Sequence, residues 1–385
     1  MKMTEYLLGD VCSRLSSGKS IKSSQVFEKG RFPVFGGNGI RGYTDTFNFS
    51  GECAIVGRQG AYCGNVQFYK GCAYMTEHAV VVCGNQKSNT KFLGLVLQKM
   101  NLGRLSHQAA QPGLSVKILA AQKIKLPAIE TQTKIAQILT AYDDLIETNQ
   151  KQIKLLEEAA QRLYKEWFAD LRFPGHEKTK IIEGIPEGWS YKPLSNIFDF
   201  IRGKSYTSKE LSDTMGVLMV NLKNIRAFGG YKRNAEKRFT GQFKPTQNLT
   251  AGDLVMGVTD MTQERRLVGH VALVPDLGET MTFSMDLIKI IPKLTDKIFI
   301  YSALYYGGLS KQISPLANGV NVLHLKPEAM MGIEMLVPCD EIVRLYSQQV
   351  TPIFNRIEAL QKQCDIAAEA RDRLLPKLMS GEMEV

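Results

Sequence analysis

Two loops hold the side chains best suited to reading the edges of nucleic-acid bases. The first is Gly57-Arg58-Gln59-Gly60-Ala61-Tyr62-Cys63-Gly64, and the second runs from Gly257 to Gly269 and contains Thr262, Gln263, Arg265 and Arg266. Arginine pairs bidentately with the acceptor edge of guanine and glutamine with adenine. Arg58, Gln59, Tyr62, Thr262, Gln263, Arg265 and Arg266 are therefore the candidate base-reading residues. Basic residues nearby in sequence suit phosphate contacts, which set position without carrying sequence information. They are Lys19, Lys22, Arg31, Arg41, Lys204, Lys223, Arg226, Lys232, Arg233, Lys237 and Arg238. A lone basic residue is ordinarily a solvated surface group. A matched pair of glycine-bounded loops, each placed between two strands, is a stronger signal.

No other chemistry competes. Gly18-Lys19-Ser20 and Gly203-Lys204-Ser205 resemble the end of a phosphate loop, but the required upstream glycines are replaced by Ser13 and Phe198. Gly37-Asn38-Gly39-Ile40-Arg41-Gly42 matches a dinucleotide fingerprint in spacing, yet Tyr43-Thr44-Asp45-Thr46-Phe47 follows as strand or turn where a helix is needed. Its glycines are better read as a connection whose backbone passes close to something else. The five histidines, His78, His107, His176, His270 and His324, are scattered, and the seven cysteines include no C-x-x-C pair. The expectation is a chain without catalytic residues, metal or cofactor.

The elements that must position these loops come in two copies. Ile135, Leu139, Tyr142, Ile146, Asn149, Ile153, Leu156, Ala160, Leu163 and Trp167 follow the three-four spacing of a coiled-coil seam. Moved along by 211 positions, they become Tyr346, Val350, Ile353, Ile357, Leu360, Cys364, Ala367, Arg371, Leu374 and Leu378, a second such seam. Asn149 is the polar residue that would fix register. Helix one is predicted from about Thr133 to Phe168, and helix two from about Glu341 to Leu378 with a kink or restart at Pro352. Before each helix lies a globule of short strands broken by glycine. The first has Phe32–Phe35, Cys53–Val56, Asn65–Tyr69 and Ala79–Cys83, then a helix from Asn89 to Met100. The second has Val217–Val220, Asp253–Met256, His270–Val274 and Leu287–Ile291, then a helix from Asp296 to Tyr306. Gly64 and Gly269 match, and so do Gly113 and Gly319. The predicted class is α+β: mixed α/β globules at 1–127 and 173–337, with spacer helices at 128–172 and 338–385.

Charge follows this division. Net charge is +10 over residues 1–126 and +4 over 173–337, while each helical stretch is net −2. The globules therefore suit a polyanion and the helices suit protein. No run of about eighteen apolar residues occurs, and the first residues lack a secretory signal's apolar centre, so a cytoplasmic protein without membrane attachment is expected.

Several segments together resemble the specificity subunit of type I restriction-modification enzymes. Ile124 to Ala136 is similar to the family's lead into its first spacer helix, with Thr131 as one extra residue. Leu163-Tyr164-Lys165-Glu166-Trp167-Phe168 resembles that helix's exit, and Arg373 to Glu382 the family's carboxyl end. Phe32 to Ile40 resembles a segment of its recognition domains. The resemblance implies two target-recognition domains, each reading half of a bipartite sequence in double-stranded DNA, held apart by two antiparallel helices. It implies as partners two methyltransferase subunits that carry S-adenosylmethionine, with restriction or translocase subunits joining them, and no catalysis in this chain. Two alternatives are a self-contained DNA methyltransferase with duplicated recognition domains and a coiled-coil scaffold that binds only protein.

Overall fold

The structure, a computed structural model, describes residues 2–60, 62–106 and 113–385. The chain divides into two compact units, Met1–Thr148 with Gln363–Val385, and Asn149–Lys362. Both long helices cross the division, so each unit owns a globule and part of each helix.

In unit 1 a six-stranded sheet has the order Cys12–Ser17, Ala79–Gly84, Phe49–Gly57, Val66–Met75, Phe32–Gly36, Gly39–Thr44. Its central strands are buried on both faces, which explains why they read as unbroken apolar runs. Ala54, Val56, Val80 and Val82 face the helix Thr90–Lys99, whereas Cys53, Ile55 and Val81 pack with Phe35, Phe49 and Met75. Asn89 starts that helix by accepting the Phe92 N–H at 3.0 Å.

Unit 2 repeats the plan. One four-stranded sheet runs Phe198–Arg202, Leu287–Pro292, Leu254–Gly257, Val271–Leu273, and a second runs Leu211–Ser212, Lys237–Phe239, Val217–Val220, Met281–Phe283. Leu254, Met256, Ile288 and Ile290 face the helix Lys297–Tyr305, which Asp296 caps, and Val255 and Leu287 face the opposite way.

The duplication is visible in single hydrogen bonds. Thr76 N–H donates to the Phe35 carbonyl and Ser284 N–H to that of Val220, at 3.0 and 2.8 Å. Lys19 N–H donates to Met75 and Lys204 N–H to Phe283, at 2.9 and 2.8 Å. The two GKS motifs are thus the same crossing of backbones. A Cβ on Gly18 would lie 1.9 Å from the Met75 carbonyl oxygen, and one on Gly203 would lie 2.0 Å from that of Ser284. One landmark changes: Gln59 bridges Gly113 and Thr259 pairs with His324, so the counterpart of Gly113 is His324, 211 positions on, and not Gly319.

The central helix spans Ile129–Tyr164, beginning earlier than the periodicity suggests. Buried Gln132 explains this: its amide donates to the Lys87 and Pro127 carbonyls and accepts the Asn89 N–H, tying the first turn to the globule. Regular helix stops at Tyr164, before Phe168. Lys165–Ala169 form one wider turn that turns Trp167 and Phe168 onto Tyr346, with ring centroids 5.9 and 4.9 Å away. The carboxy-terminal helix spans Asp340–Ser380 without a break at Pro352, contrary to the predicted restart. Pro352 is exposed, while Val350, Ile353 and Phe354 beside it pack inward and hold the helix together.

The helices are antiparallel within each unit. In unit 1 Asp143 pairs with Arg371 at 2.8 Å, and the Cys364 thiol lies 3.8 Å from the Ile146 carbonyl. In unit 2 Ile153 packs with Ile357 and Leu360, with Leu156 and Ile353 alongside. Asn149 is buried, as are Ile135, Leu139, Ala160, Val350 and Ala367. Tyr142, Ile146, Leu163, Cys364 and Leu374 are half-buried. Arg371 holds its seam position through the Asp143 pair.

Candidate nucleic-acid interface

Each candidate loop is hung on a backbone frame that recurs in the other unit. Gly57 N–H donates to Asn65 and Gly257 N–H to His270, at 2.8 and 2.9 Å. Gly64 closes on Gly57 and Gly269 on Gly257, both at 2.8 Å. Arg58 N–H donates to the His78 carbonyl as Val258 N–H does to that of Asp286, and Leu114 and Leu325 donate back to Arg58 and Val258. The frame fixes where the loops emerge. The side chains they carry have diverged.

In unit 1 Gln59 and Tyr62 are exposed and Arg58 is half-buried with no carboxylate partner among the described residues. Ala61 and His107 lie outside the described residues. The Gly37–Gly42 connection is the tip of the hairpin Phe32–Gly36/Gly39–Thr44, and it does pass close to something: a Cβ on Gly57 would lie 2.2 Å from the Gly37 carbonyl oxygen. Hairpin and loop border an open depression of about 580 Å³ lined by Asn38, Arg41, Gln59, Gly60 and His78. Lys19, Lys22, Arg31 and Arg41 are all exposed without carboxylate partners among the described residues, and Arg31 lies 5.1 Å from the Phe32 ring centre. The Tyr74 hydroxyl donates to the Ser20 carbonyl at 3.0 Å, fastening the 18–22 segment to the sheet.

In unit 2 the organising residue is Asp260, wholly buried and absent from the sequence-based candidates. Its carboxylate accepts from the N–H groups of Thr262 (2.8 Å), Leu267 (2.6 Å) and Val268 (3.3 Å) and from the Thr262 hydroxyl (2.8 Å). Burial pushes its pKa up, but these donors outweigh burial and hold it below the usual carboxylate range. The only hint in sequence was an Asp two residues before a Thr, the pattern of a side chain that bonds its own loop. Burial lowers the pKa of His270, against the Arg265 and Phe228 carbonyls it contacts and the nearby Asp260 charge.

Four expected readers in this loop therefore divide by environment. Thr262 is spent on Asp260. Gln263 donates from Nε2 to the Val320 carbonyl at 2.9 Å. Arg266 is exposed and paired with Glu264. Arg265 is half-buried at a left-handed φ of 50°, and its Nε has no partner among the described residues.

Several expected phosphate contacts already have partners within the chain. Arg226 pairs with Glu157 at 2.6 Å and Arg233 with Glu358 at 2.7 Å, both partners lying on the long helices. Arg238 grips Glu279 with both terminal nitrogens, and Lys237 donates to the Tyr206 hydroxyl at 2.7 Å. These basic groups fasten the stretch from Arg226 to Arg238 to its own surroundings, which sequence charge cannot distinguish from free charge. Lys223 and Lys232 are exposed, and Lys204 is half-exposed. Among the described residues no His, Cys, Asp and Glu cluster could hold a metal, and no helix is long and apolar enough to cross a membrane.

A duplicated backbone frame thus carries divergent polar loops, beside cations without carboxylate partners among the described residues. Residues 2–158 match the type I restriction modification DNA specificity domain. The chain is 42% identical over 142 residues to the EcoprrI specificity subunit of Escherichia coli, covering 36% of this chain and 35% of that one. It is 25% identical over 304 residues to the MjaVIII specificity subunit of Methanocaldococcus jannaschii, covering 76% and 70%. The match thus spans about a third of the E. coli relative. The S subunit of a type I system from M. genitalium shares the fold, with a TM-score of 0.73, 18% identity and coverage of 98% and 96%. Over the regions these comparisons match, the chain is similar to the specificity subunits of type I restriction-modification enzymes.

Proposed function

We propose that this chain is the DNA sequence-recognition subunit of a type I restriction-modification complex. Each unit reads one half of a bipartite duplex target through the loop on its repeated frame. The observation that carries this is the repeated set of backbone hydrogen bonds around Gly57–Gly64 and Gly257–Gly269, which keeps the frame while Arg58, Gln59 and Tyr62 in one copy give way to Arg265 and Arg266 in the other. The cations Lys19, Lys22, Arg31, Arg41, Lys204, Lys223 and Lys232, without carboxylate partners among the described residues, hold phosphates. The helical stretches, net negative, dock two methyltransferase subunits that bring S-adenosylmethionine and all catalytic groups, with restriction or translocase subunits beyond them, in the cytoplasm.

Adenine methylation mapped across the host genome with and without the gene tests this reading. A bipartite motif that disappears on deletion supports it. An unchanged methylome together with duplex binding insensitive to salt sinks it, and methyl transfer by the purified chain alone would point to a self-contained enzyme.

A further inference from the structure

Beyond the two-stranded pair Thr259–Asp260 and Leu323–His324, both segments of unit 2 run out into solvent. At their ends Met261 is 77% exposed and Val320 87%, the two highest values among the exposed large hydrophobic side chains described. Such side chains usually occur singly on a surface, whereas these two stand on adjoining loops. The loop carrying Val320 is built firmly. Asn318 and His324 exchange backbone hydrogen bonds at 3.0 and 2.9 Å, the Asn318 amide donates to the Leu316 carbonyl at 3.0 Å, and Gln263 donates to Val320 itself. Next to Val320, Asn321 is exposed, and its amide has no partner among the described residues. An apolar tip and a free amide side by side, on a polar face, match the two features an A·T pair shows in the major groove: the thymine methyl, and the N6–H and N7 edge of adenine.

Resting on the reading of unit 2 as a DNA-binding module, we infer that the loop Asn318–His324, with Met261, reads an A·T base pair in the half-site of unit 2. Val320 packs against the C5 methyl of thymine, Met261 flanks it, and Asn321 pairs with adenine. Gln263 acts as a positioning residue that holds the Val320 backbone.

The test uses the full chain with its methyltransferase partner and duplexes bearing the mapped target. Each thymine is replaced in turn by deoxyuridine, which lacks the methyl, and each adenine by 7-deazaadenine, which lacks N7. At one A·T pair of the unit 2 half-site, uracil should weaken wild-type binding about three- to fivefold, and 7-deazaadenine about fivefold or more. Val320→Ser should bind the natural duplex with the same loss and no longer respond to uracil, and Asn321→Ala should no longer respond to 7-deazaadenine. Both side chains are exposed, so melting temperatures should match wild type. No sensitive position in that half-site, a half-site of G·C pairs alone, or variants that keep full sensitivity overturns the inference while leaving the proposed function standing. Wild type that binds no duplex overturns both.

Discussion

Replacing Asp260 should dismantle the unit 2 reading loop while leaving unit 1 intact. The buried carboxylate accepts three backbone N–H groups and one hydroxyl between 2.6 and 3.3 Å. Hydrogen bonds to a charged group contribute about 1.5–3 kcal/mol each, and a buried donor left without an acceptor costs about 1–3 kcal/mol. Asp260→Asn keeps one acceptor for Thr262 but turns an NH₂ toward the Leu267 and Val268 donors, so a loss of about 2–4 kcal/mol is expected. Asp260→Ala removes every acceptor and should cost somewhat more. Urea unfolding reads the stability of unit 2, and binding to duplexes scrambled in one half-site at a time reads recognition. Discrimination at the unit 2 half-site should fall at least tenfold, with the unit 1 half-site unaffected. The pH dependence provides a second readout. Because the folded pKa is depressed below the ordinary 3.8, the carboxylate's contribution is fully present above that value and is lost as pH falls through the folded pKa. The variant should lose that acid-induced fall. An Asn variant as stable and as discriminating as wild type would refute the clamp.

Five further substitutions have expected outcomes. Arg58→Ala should lose about 1–3 kcal/mol of discrimination at the unit 1 half-site alone, whereas Lys232→Ala should weaken all duplexes alike and reduce the salt slope by about one, both measured by binding titration against salt. Leu156→Asp puts a carboxylate beside Ile153, Ile357 and Leu360, and because the site is half-buried the cost should be about 1–3 kcal/mol; an unchanged melting temperature would contradict that packing. Gly203→Ala forces a methyl onto the Ser284 carbonyl and should destabilise unit 2 by about 1–3 kcal/mol or prevent its folding, which thermal unfolding checks. The folded pKa of His270 is depressed below 6.5, so its contribution is complete above that pH and is lost as pH falls through the folded value; His270→Gln should flatten the stability profile there.

The heptads, the alternating strands and the offset of 211 were legible because side-chain period and apolar content dictate helices, sheets and duplication locally. Asn89 and Asp296 mark helix starts for the same reason, since a cap bonds within its own turn. The wide turn at Lys165–Ala169, the unbroken helix through Pro352 and the early start at Ile129 depend on contacts far along the chain: Tyr346, Tyr301 against Phe354, and Lys87. The site divides in the same way. Glycine-bounded loops rich in Arg and Gln announce themselves by composition. Whether Arg58 stays free while Arg226 and Arg233 are tied to Glu157 and Glu358 is decided by residues 69 and 125 positions away. Asp260 illustrates the limit most sharply, because its role follows from burial, which raises the cost of any unmet donor around it. The sequence by itself determined which segments form elements and that there are two copies. Tertiary structure decided which charges are already paired, because pairing depends on distance in space.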